Sequence, residues 1–400
     1  MKIVQINAVY GYSSTGRTSR ELHEQLLSKG FDSYVFCANT IRCDNNVFLI
    51  GNTLDQKIHS FGSHLLGLQG YFSSLSTKRM LKKLKSIEPD VVILRNLHSN
   101  YVNVPLLLRF LADENLATIV VLHDVWPFTG HCCYYTEDKC TKWMTECDKC
   151  PILHKYNSSW LFDHSRKQFK DKNRLFHKIN KLAVVGVSSW VTEEAKKSPI
   201  FSNAKVIERI YNWIDLDVFK PRKTADLRES LNIAPDDFVV LGIAQKWNER
   251  KGYSQYVELA KNCQDIKVVI VGQNNDENVL PSNMICVPPT NSTEELARFY
   301  SMADVYLNFS NQETFGKVSA EALSCGTPII AFNSTANPEL CGDGCGYVFN
   351  ERNWKEVLPL INKVKANGKA FYSQNCLNFS KAHFSKDSNI NDYLQLFGQL

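Results

Sequence analysis

The sequence predicts an α/β protein built from two doubly wound, Rossmann-like domains. Short apolar runs alternate with segments of helical periodicity along the whole 400-residue chain. Runs such as Ala117–Leu122 are apolar almost throughout, as expected of strands buried on both faces of a parallel sheet. A second set of strands and helices begins after Pro221 and shows no internal repeat of the first. Two separate sheets, each with helices on its faces, explain all three observations.

The elements of each domain follow from this alternation. In the first half, strands are expected at Lys2–Asn7, Ser33–Cys37, Asp90–Leu94, Ala117–Leu122 and Leu182–Ser188, and helices at Thr18–Lys29, from about Asn103 and at Ser189–Lys197. In the second half, strands are expected at Phe238–Ala244, Ile266–Val271, Asp304–Phe309 and Pro328–Phe332, and helices at Tyr253–Asn262, Thr293–Met302 and Gly316–Ser324. We therefore expect domains at 1–211 and 222–382, a linker at 212–221, and a C-terminal helix at 383–400 that packs back on the first domain.

Composition places the chain among ordinary globular proteins. Hydrophobic residues make up 44% and charged residues 22%, and the net charge of +5 permits an anionic ligand or membrane surface without requiring either. The N-terminal segment Met1–Val9 lacks the features of a secretory signal, and the apolar runs are too short to cross a bilayer. We expect a cytoplasmic protein whose 13 cysteines are mostly reduced.

The first candidate site is the turn that follows the predicted strand Asp304–Phe309. Glu313 lies in this turn, Gly316 permits a tight approach to a ligand, and Glu321 lies in the helix that follows. Backbone amides of Phe315, Gly316, Lys317 and Val318 would be the unpaired donors of a helix N-terminus, which suits a phosphate or a sugar. Alternatively, the two glutamates are helix acids that only favour the macrodipole.

A second candidate site is the basic loop after the strand Phe238–Ala244. Lys246, Arg250 and Lys251 stand beside Gly252, and their positive charges suit a diphosphate leaving group. A solvated surface turn is the alternative interpretation.

The first domain contributes candidates from three loops. Gly16 ends a glycine- and serine-rich loop, and His123 with Asp124 follows the strand Ala117–Leu122. A histidine at the carboxyl end of a strand can donate a hydrogen bond to a sugar hydroxyl or act on a transition state, although it can also be structural. Asn96 and His98 follow the strand Asp90–Leu94 and are candidates for the acceptor side.

The second-domain residues resemble a known enzyme family. Glu313, Phe315-Gly316 and Glu321-Ala322, followed by Gly326 and Pro328, resemble the signature of family 4 of the retaining glycosyltransferases, which have the GT-B fold. The resemblance implies two domains facing across a cleft, with Glu313 on the donor sugar, the amides from Phe315 to Val318 on the sugar and diphosphate, and Glu321 on the ribose. It also implies donor contacts for Lys251 and Gly16 and a functional role for His123.

Two departures from the family pattern affect these expectations. Lys246 stands where the family usually has arginine, so a bidentate clamp on the diphosphate is lost and Arg250 is a candidate replacement. Arg95 stands where relatives commonly have histidine.

The linker contains Asp215-Leu-Asp217, which superficially matches the metal motif of the other glycosyltransferase fold. Because lysines can supply the counter-charge, we expect catalysis without a metal.

A cysteine cluster lies in the segment 130–151. Cys132, Cys140, Cys147 and Cys150 end in a Cys-x2-Cys pair and could close a tetrahedral structural zinc site. Free thiols and disulfides are the alternatives. The segment resembles a family subgroup that carries a cysteine-rich insertion after the His-Asp pair.

The sequence therefore predicts a retaining transfer of sugar from a UDP- or GDP-linked donor to a saccharide or lipid-linked acceptor, in bacterial surface polysaccharide synthesis. The basic segment Thr77–Lys85 adds a possible peripheral contact with the inner face of the plasma membrane. A nucleotide-sugar epimerase of the same fold is one alternative, and a zinc-containing nucleic-acid-binding protein is another. Without a basic stripe, a nucleic-acid partner is not expected.

Overall fold

The computed structural model describes residues 1–42, 44–274, 280–290 and 292–400. The chain divides into two compact units, one formed by Met1–Ile210 with Ile390–Leu400 and the other by Tyr211–Asn389. Each unit is built around a parallel sheet with helical crossovers. The predicted fold class, two Rossmann-like α/β domains, is confirmed. No helix in the described parts of the chain has both the length and the apolar character that a membrane span requires.

The first unit has a seven-stranded sheet in the order β3-β2-β1-β4-β5-β6-β7. Its strands are β1 (Lys2–Tyr10), β2 (Asp32–Thr40), β3 (Val47–Leu49), β4 (Val91–Leu94), β5 (Ala117–Leu122), β6 (Leu182–Gly186) and β7 (Val206–Arg209). Its helices are α1 (Ser13–Ser28), α2 (Thr53–Leu66), α3 (Ser74–Ile87), α4 (Val104–Asp113), α5 (Ser165–Phe176) and α6 (Ser189–Lys197). The strand order reverses between β1 and β4, so the loops after these strands diverge at a topological switch point.

The second unit has a six-stranded sheet in the order β10-β9-β8-β11-β12-β13. Its strands are β8 (Val239–Lys246), β9 (Lys267–Gln273), β10 (Met284–Val287), β11 (Val305–Asn308), β12 (Ile329–Phe332) and β13 (Gly346–Phe349). Its helices are α7 (Ala225–Ser230), α8 (Tyr253–Asn262), α9 (Thr293–Met302), α10 (Lys317–Ser324), α11 (Trp354–Asn367) and α12 (Lys369–His383). The last helix, α13 (Lys386–Gly398), begins in this unit and ends in the first. Here the strand order reverses between β8 and β11.

The start of the chain differs from the expected strand, loop and helix boundaries. β1 continues to Tyr10 because Val9 and Tyr10 still pair with Asn39 and Thr40 of β2. Helix α1 begins at Ser13, so Gly16 lies inside the helix and not in a loop. A Cβ atom at Gly16 would lie 3.2 Å from the backbone of Val9, which makes this glycine a point of close packing between α1 and β1.

Candidate active site

Two neighbouring strands of the second unit, β8 and β11, end at the same edge of the sheet. In a doubly wound sheet, ligands bind beyond the carboxyl ends of the strands at the point where the order reverses. The loops after β8 and β11 are the two loops that the sequence singled out.

The loop after β8 is held in shape by its own side chains and by a glycine. A short 3-10 helix, Glu249–Lys251, begins after Asn248, whose Oδ1 accepts the Lys251 amide at 3.1 Å. Gly252 follows with φ of +79°, and a Cβ atom there would lie 2.3 Å from Cβ of Phe309 in the other loop. Only glycine allows the two loops to approach this closely.

The loop after β11 rests on a buried amide network. Asn308 Nδ2 donates to Ser319 Oγ at 3.1 Å and to Asn337 Oδ1 at 3.2 Å, and Asn308 Oδ1 accepts the Ser310 amide at 2.9 Å. Asn337 Nδ2 in turn donates to the Ser310 carbonyl at 2.9 Å. These bonds pair the buried polar groups of the turn and fix the backbone that leads to Glu313.

An ion pair joins the two loops. The Lys251 ammonium group contacts a carboxylate oxygen of Glu313, and both side chains are largely buried. Arg352 also joins the two loops, because its guanidinium group donates to the Phe309 carbonyl at 2.6 Å and to the Arg250 carbonyl at 3.1 Å. Sequence reasoning missed Arg352, which lies about one hundred residues from Arg250 and carries no local motif.

The N-terminus of α10 lies next to Glu313. Gly316 is the N-cap residue with φ of +87°, and it has no side chain that could cap the helix. Phe315 anchors this turn, with its ring centroid 5.9 Å from Tyr211 and 5.5 Å from Phe384. The amides at Lys317 and Val318 therefore belong to a fixed helix end, a geometry that suits an anion.

Glu321 is buried within α10 and has a hydroxyl partner. Its Oε2 accepts a hydrogen bond from the Tyr300 hydroxyl at 2.9 Å. Burial, together with the neighbouring Glu321 carboxylate, raises the pKa of Tyr300 well above its ordinary value, so Tyr300 remains a donor at physiological pH. Sequence reasoning singled out Glu321 but not Tyr300, which fixes its carboxylate.

The other two basic residues of the β8 loop differ in exposure. Lys246 is the exposed last residue of β8, and Arg250 is half-buried in the 3-10 helix. The Arg250 carbonyl, which accepts the Asn311 amide at 3.3 Å, helps to join the loops. The linker carboxylate of Asp215 accepts the Asp217 amide at 3.1 Å, so it caps a local turn.

In the first unit, His123 follows β5 and contacts a buried arginine. Nη1 of Arg95 lies 3.1 Å from Nε2 of His123, and Nε of Arg95 donates to Gln5 Oε1 at 3.0 Å. Because a guanidinium group can only donate, Nε2 of His123 is the acceptor and the neutral ring carries its proton on Nδ1. Asn96 is half-buried after β4, with its amide donating to Asn7 Oδ1 at 3.3 Å.

His98 and Asp124 form a pair, and a cysteine adjoins it. His98 Nε2 lies 2.7 Å from Asp124 Oδ2, and Asp124 Oδ1 accepts the Trp126 amide at 2.8 Å. Burial opposes charge on His98, yet Cys133 and Asp124 outweigh it and raise the pKa of the imidazole well above its ordinary value. Among the described residues, only His98, Asp124 and Cys133 form a trio of metal-ligand types whose ligand atoms lie within 4.8 Å of one another.

The four cysteines predicted to bind zinc line one small cavity, together with His131 and Trp143. The Gly130 amide donates to Cys147 Sγ at 3.2 Å. Among the described residues, no three of these cysteines have sulfur atoms that all lie within 4.8 Å of one another, so a bound ion would have to draw them together. The cysteines in the described parts of the chain are free of disulfides.

Comparisons with known proteins agree with this architecture. Residues 223–382 match the family described as Glycosyl transferases group 1. The alpha-monoglucosyldiacylglycerol synthase of Acholeplasma laidlawii is 22% identical over 306 residues, which cover 74% of this chain and 71% of that protein. A putative colanic acid biosynthesis glycosyl transferase of Escherichia coli, WcaC, is 22% identical over 328 residues, covering 78% and 77% of the two chains.

A solved structure extends the likeness to the whole chain. The structure of HepE from Anabaena in complex with UDP superimposes with a TM-score of 0.68 at 14% identity, covering all of both chains. The two sheets therefore have the GT-B fold that the structural neighbours share. More specifically, the second unit contains the region that matches the Glycosyl transferases group 1 family.

Proposed function

We propose that the protein is a retaining glycosyltransferase that moves a sugar from a UDP- or GDP-linked donor to a saccharide or lipid-linked acceptor. The observation that carries this proposal is the Lys251–Glu313 ion pair beside the N-terminus of α10. A cation, a carboxylate and a helix N-terminus in one place match the three parts of a nucleotide diphosphate sugar. The UDP complex of HepE supports a nucleotide ligand.

The proposed roles follow from charge. Lys251 and the amides at Lys317 and Val318 offset the negative charge that grows on the departing diphosphate. Glu313 accepts hydrogen bonds from donor-sugar hydroxyls, and Glu321, held by Tyr300, accepts them from the ribose. Lys246 and Arg250 add positive charge around the diphosphate, and no metal is required.

In the proposed reaction, the bond between the anomeric carbon and the diphosphate oxygen breaks, and a bond from the acceptor oxygen forms on the same face. The acceptor proton passes to the departing phosphate. Of the first-unit residues, we assign to His123 a hydrogen bond from its Nδ1 to a sugar hydroxyl, and to Asn96, His98 and Asp124 the binding of the acceptor. Relatives named for glycolipid and colanic acid synthesis support a bacterial cell-surface product.

The cysteine cavity belongs to a separate proposal, a structural zinc ion bound by Cys132, Cys140, Cys147 and Cys150. The support is a set of four thiols around one cavity, with a backbone amide already donating to one sulfur. Four protein ligands would leave no open position, so such an ion would stabilise the segment and take no part in transfer.

A product analysis tests the transfer. Purified protein is incubated with radiolabelled UDP- and GDP-sugars, with and without a membrane extract as acceptor, and the products are separated by chromatography. Transfer predicts label in an acceptor product only when acceptor is present, and Glu313→Gln abolishes it. Label in an epimerised nucleotide sugar without acceptor would instead establish the epimerase, and nucleic-acid binding unaffected by Glu313→Gln would favour the third class.

A further inference from the structure

Helix α2 of the first unit exposes large apolar side chains along one face. Leu54, Ile58 and Phe61 follow one another at spacings of four and three residues and are 65%, 61% and 59% exposed. Side chains at this spacing lie on the same side of a helix. An exposed apolar row of this kind indicates an interaction surface and not a folding requirement.

A loop before α5 continues the apolar row. Trp160 packs against α2, with its ring 6.1 Å from Phe61 and stacked on His64 at 5.5 Å, and its amide donates to the His64 carbonyl at 2.7 Å. The next two residues, Leu161 and Phe162, are also exposed. The backbone contact to α2 fixes the loop, so the apolar side chains of loop and helix form one surface.

Basic residues border this surface on α3. The exposed residues Lys78, Arg79, Lys82, Lys83 and Lys85 all lie on this helix, which has no acidic residue. The chain has 46 basic and 41 acidic residues, and five of the basic residues lie on α3. The rest of the chain therefore has 41 residues of each sign, and α3 alone accounts for the net charge of +5. Lys85 pairs with Glu114, which leaves four positive charges toward solvent.

Contacts between the two helices show that α2 and α3 lie next to each other. Nδ1 of His59 in α2 lies 2.9 Å from Oγ of Ser73, the residue that precedes α3, and a Cβ atom at Gly51 would lie 3.0 Å from Ser76 Oγ. Arg79 and Lys83 line a groove together with Asn52, the N-cap residue of α2.

We propose that this surface, formed by the exposed residues of α2, α3 and Trp160–Phe162, docks on an anionic lipid bilayer. Apolar side chains that enter the headgroup region, with lysine and arginine beside them, are the combination that binds anionic membranes. Trp160 suits this boundary because its ring has both apolar and polar character. A symmetric contact between two copies is disfavoured, since the α3 charges of one copy would meet those of the other.

Vesicle sedimentation of the full-length protein tests the proposal. Vesicles of phosphatidylcholine alone are compared with vesicles containing about 30% phosphatidylglycerol, at low and high salt. We expect binding to the anionic vesicles that weakens with salt, and at least about tenfold weaker binding for a Leu54→Ser, Ile58→Ser, Phe61→Ser variant. A Lys78→Gln, Arg79→Gln, Lys82→Gln variant should weaken binding to a similar extent.

The control replaces apolar and basic residues elsewhere, namely Phe371→Ser and Lys196→Gln, which are exposed on other elements. A blue shift of tryptophan fluorescence on vesicle addition that disappears in Trp160→Phe would support the proposal independently of sedimentation. No binding, or equal binding of the surface variants and the control, would overturn it. The proposal would also be overturned if the wild type formed a concentration-dependent dimer and the Leu54→Ser, Ile58→Ser, Phe61→Ser variant lost the dimer but kept vesicle binding. The surface would then bind a second copy of the chain.

Discussion

The Lys251 ammonium group is paired with the Glu313 carboxylate, although the two residues follow different strands, β8 and β11. Gly252 and Arg352 hold the two loops in contact, so other residues of both loops keep the paired side chains close together. In the absence of donor, each charge partly neutralises the other. Under the proposed function, a bound diphosphate would give Lys251 a second anionic partner and leave Glu313 available to the sugar.

Removal of either partner should abolish most of the transfer activity. We expect Lys251→Ala and Glu313→Gln each to lower kcat by about 10²- to 10³-fold, because a preorganised charge at the reacting group is lost. Initial rates with the identified donor provide the measurement. Glu258→Gln, which removes an exposed ion pair with Lys261 on α8, is the matched control and should leave the rate unchanged. Activity within about threefold of wild type in both site variants would contradict the assignment.

A side chain at Gly252 should separate the two loops. Gly252→Ala forces a non-glycine residue to φ of +79°, which costs about 1–3 kcal/mol, and adds an atom 2.3 Å from Phe309 Cβ, which costs about 1–3 kcal/mol more. Thermal unfolding and transfer rate provide the measurements, and both should fall.

Gly30→Ala is the matched control for this substitution. Gly30 also has a positive φ, of +82°, but a Cβ atom there would have no neighbour within 4 Å. It should therefore lose stability by the backbone contribution alone and keep its activity. Equal effects of the two substitutions would show that loop contact at Gly252 does not matter.

Local patterns were sufficient to predict the central strands of both sheets and the loops that follow them, although not the edge strands β3, β7, β10 and β13. The same patterns singled out Lys251, Glu313 and Glu321 as candidate site residues. They were insufficient for the residues that orient these side chains. Tyr300 and Arg352 reach the site from other elements, and nothing in their neighbouring sequence indicates such contacts.

Gly16 and helix α2 also differ from the expectations, each for its own physical reason. The expected glycine-rich loop around Gly16 is the first part of a helix, because β1 continues its pairing with β2 and α1 packs directly on it. Helix α2 was not predicted because its exposed apolar residues obscure the usual pattern of one buried and one polar face.

The buried side chain of Lys369 makes the stability of the second unit depend on pH. Its ammonium group donates to the carbonyls of Ser301 and Ala303, both at 2.7 Å, at the end of the helix that carries Tyr300. Burial lowers the pKa of Lys369 from 10.5 to about 8. Between these values the unfolded chain binds more protons than the folded one, so this contribution to stability rises with pH.

The effect is measurable by comparison with a variant. Between pH 7.5 and 9.5, the stability of wild type relative to Lys369→Met should rise by about 2 kcal/mol in urea unfolding. The subtraction removes the titrations that both proteins share. A difference between the two proteins that does not change over this range, or one that falls, would refute the assigned pKa shift.

Metal analysis tests the cysteine cavity. We expect about one zinc ion per chain after purification without chelators, and loss of that zinc with a lower melting temperature in Cys147→Ser and Cys150→Ser. Cys263→Ser, a buried cysteine of the second unit, is the control. Zinc that persists in these variants but is lost in Cys133→Ser would assign the ion to the His98, Asp124 and Cys133 trio. Metal-free protein of unchanged stability would contradict both sites.

The central claim, that the Lys251–Glu313 pair marks a nucleotide site, is tested most directly by thermal unfolding with UDP, GDP and ADP. A ligand that binds the folded state at 100 times its Kd stabilises it by about 2.7 kcal/mol and raises Tm. We predict a higher Tm of wild type with at least one of these nucleotides and a much smaller increase in Lys251→Ala at the same concentration. No increase with any nucleotide, or an equal increase in the variant, would contradict the claim.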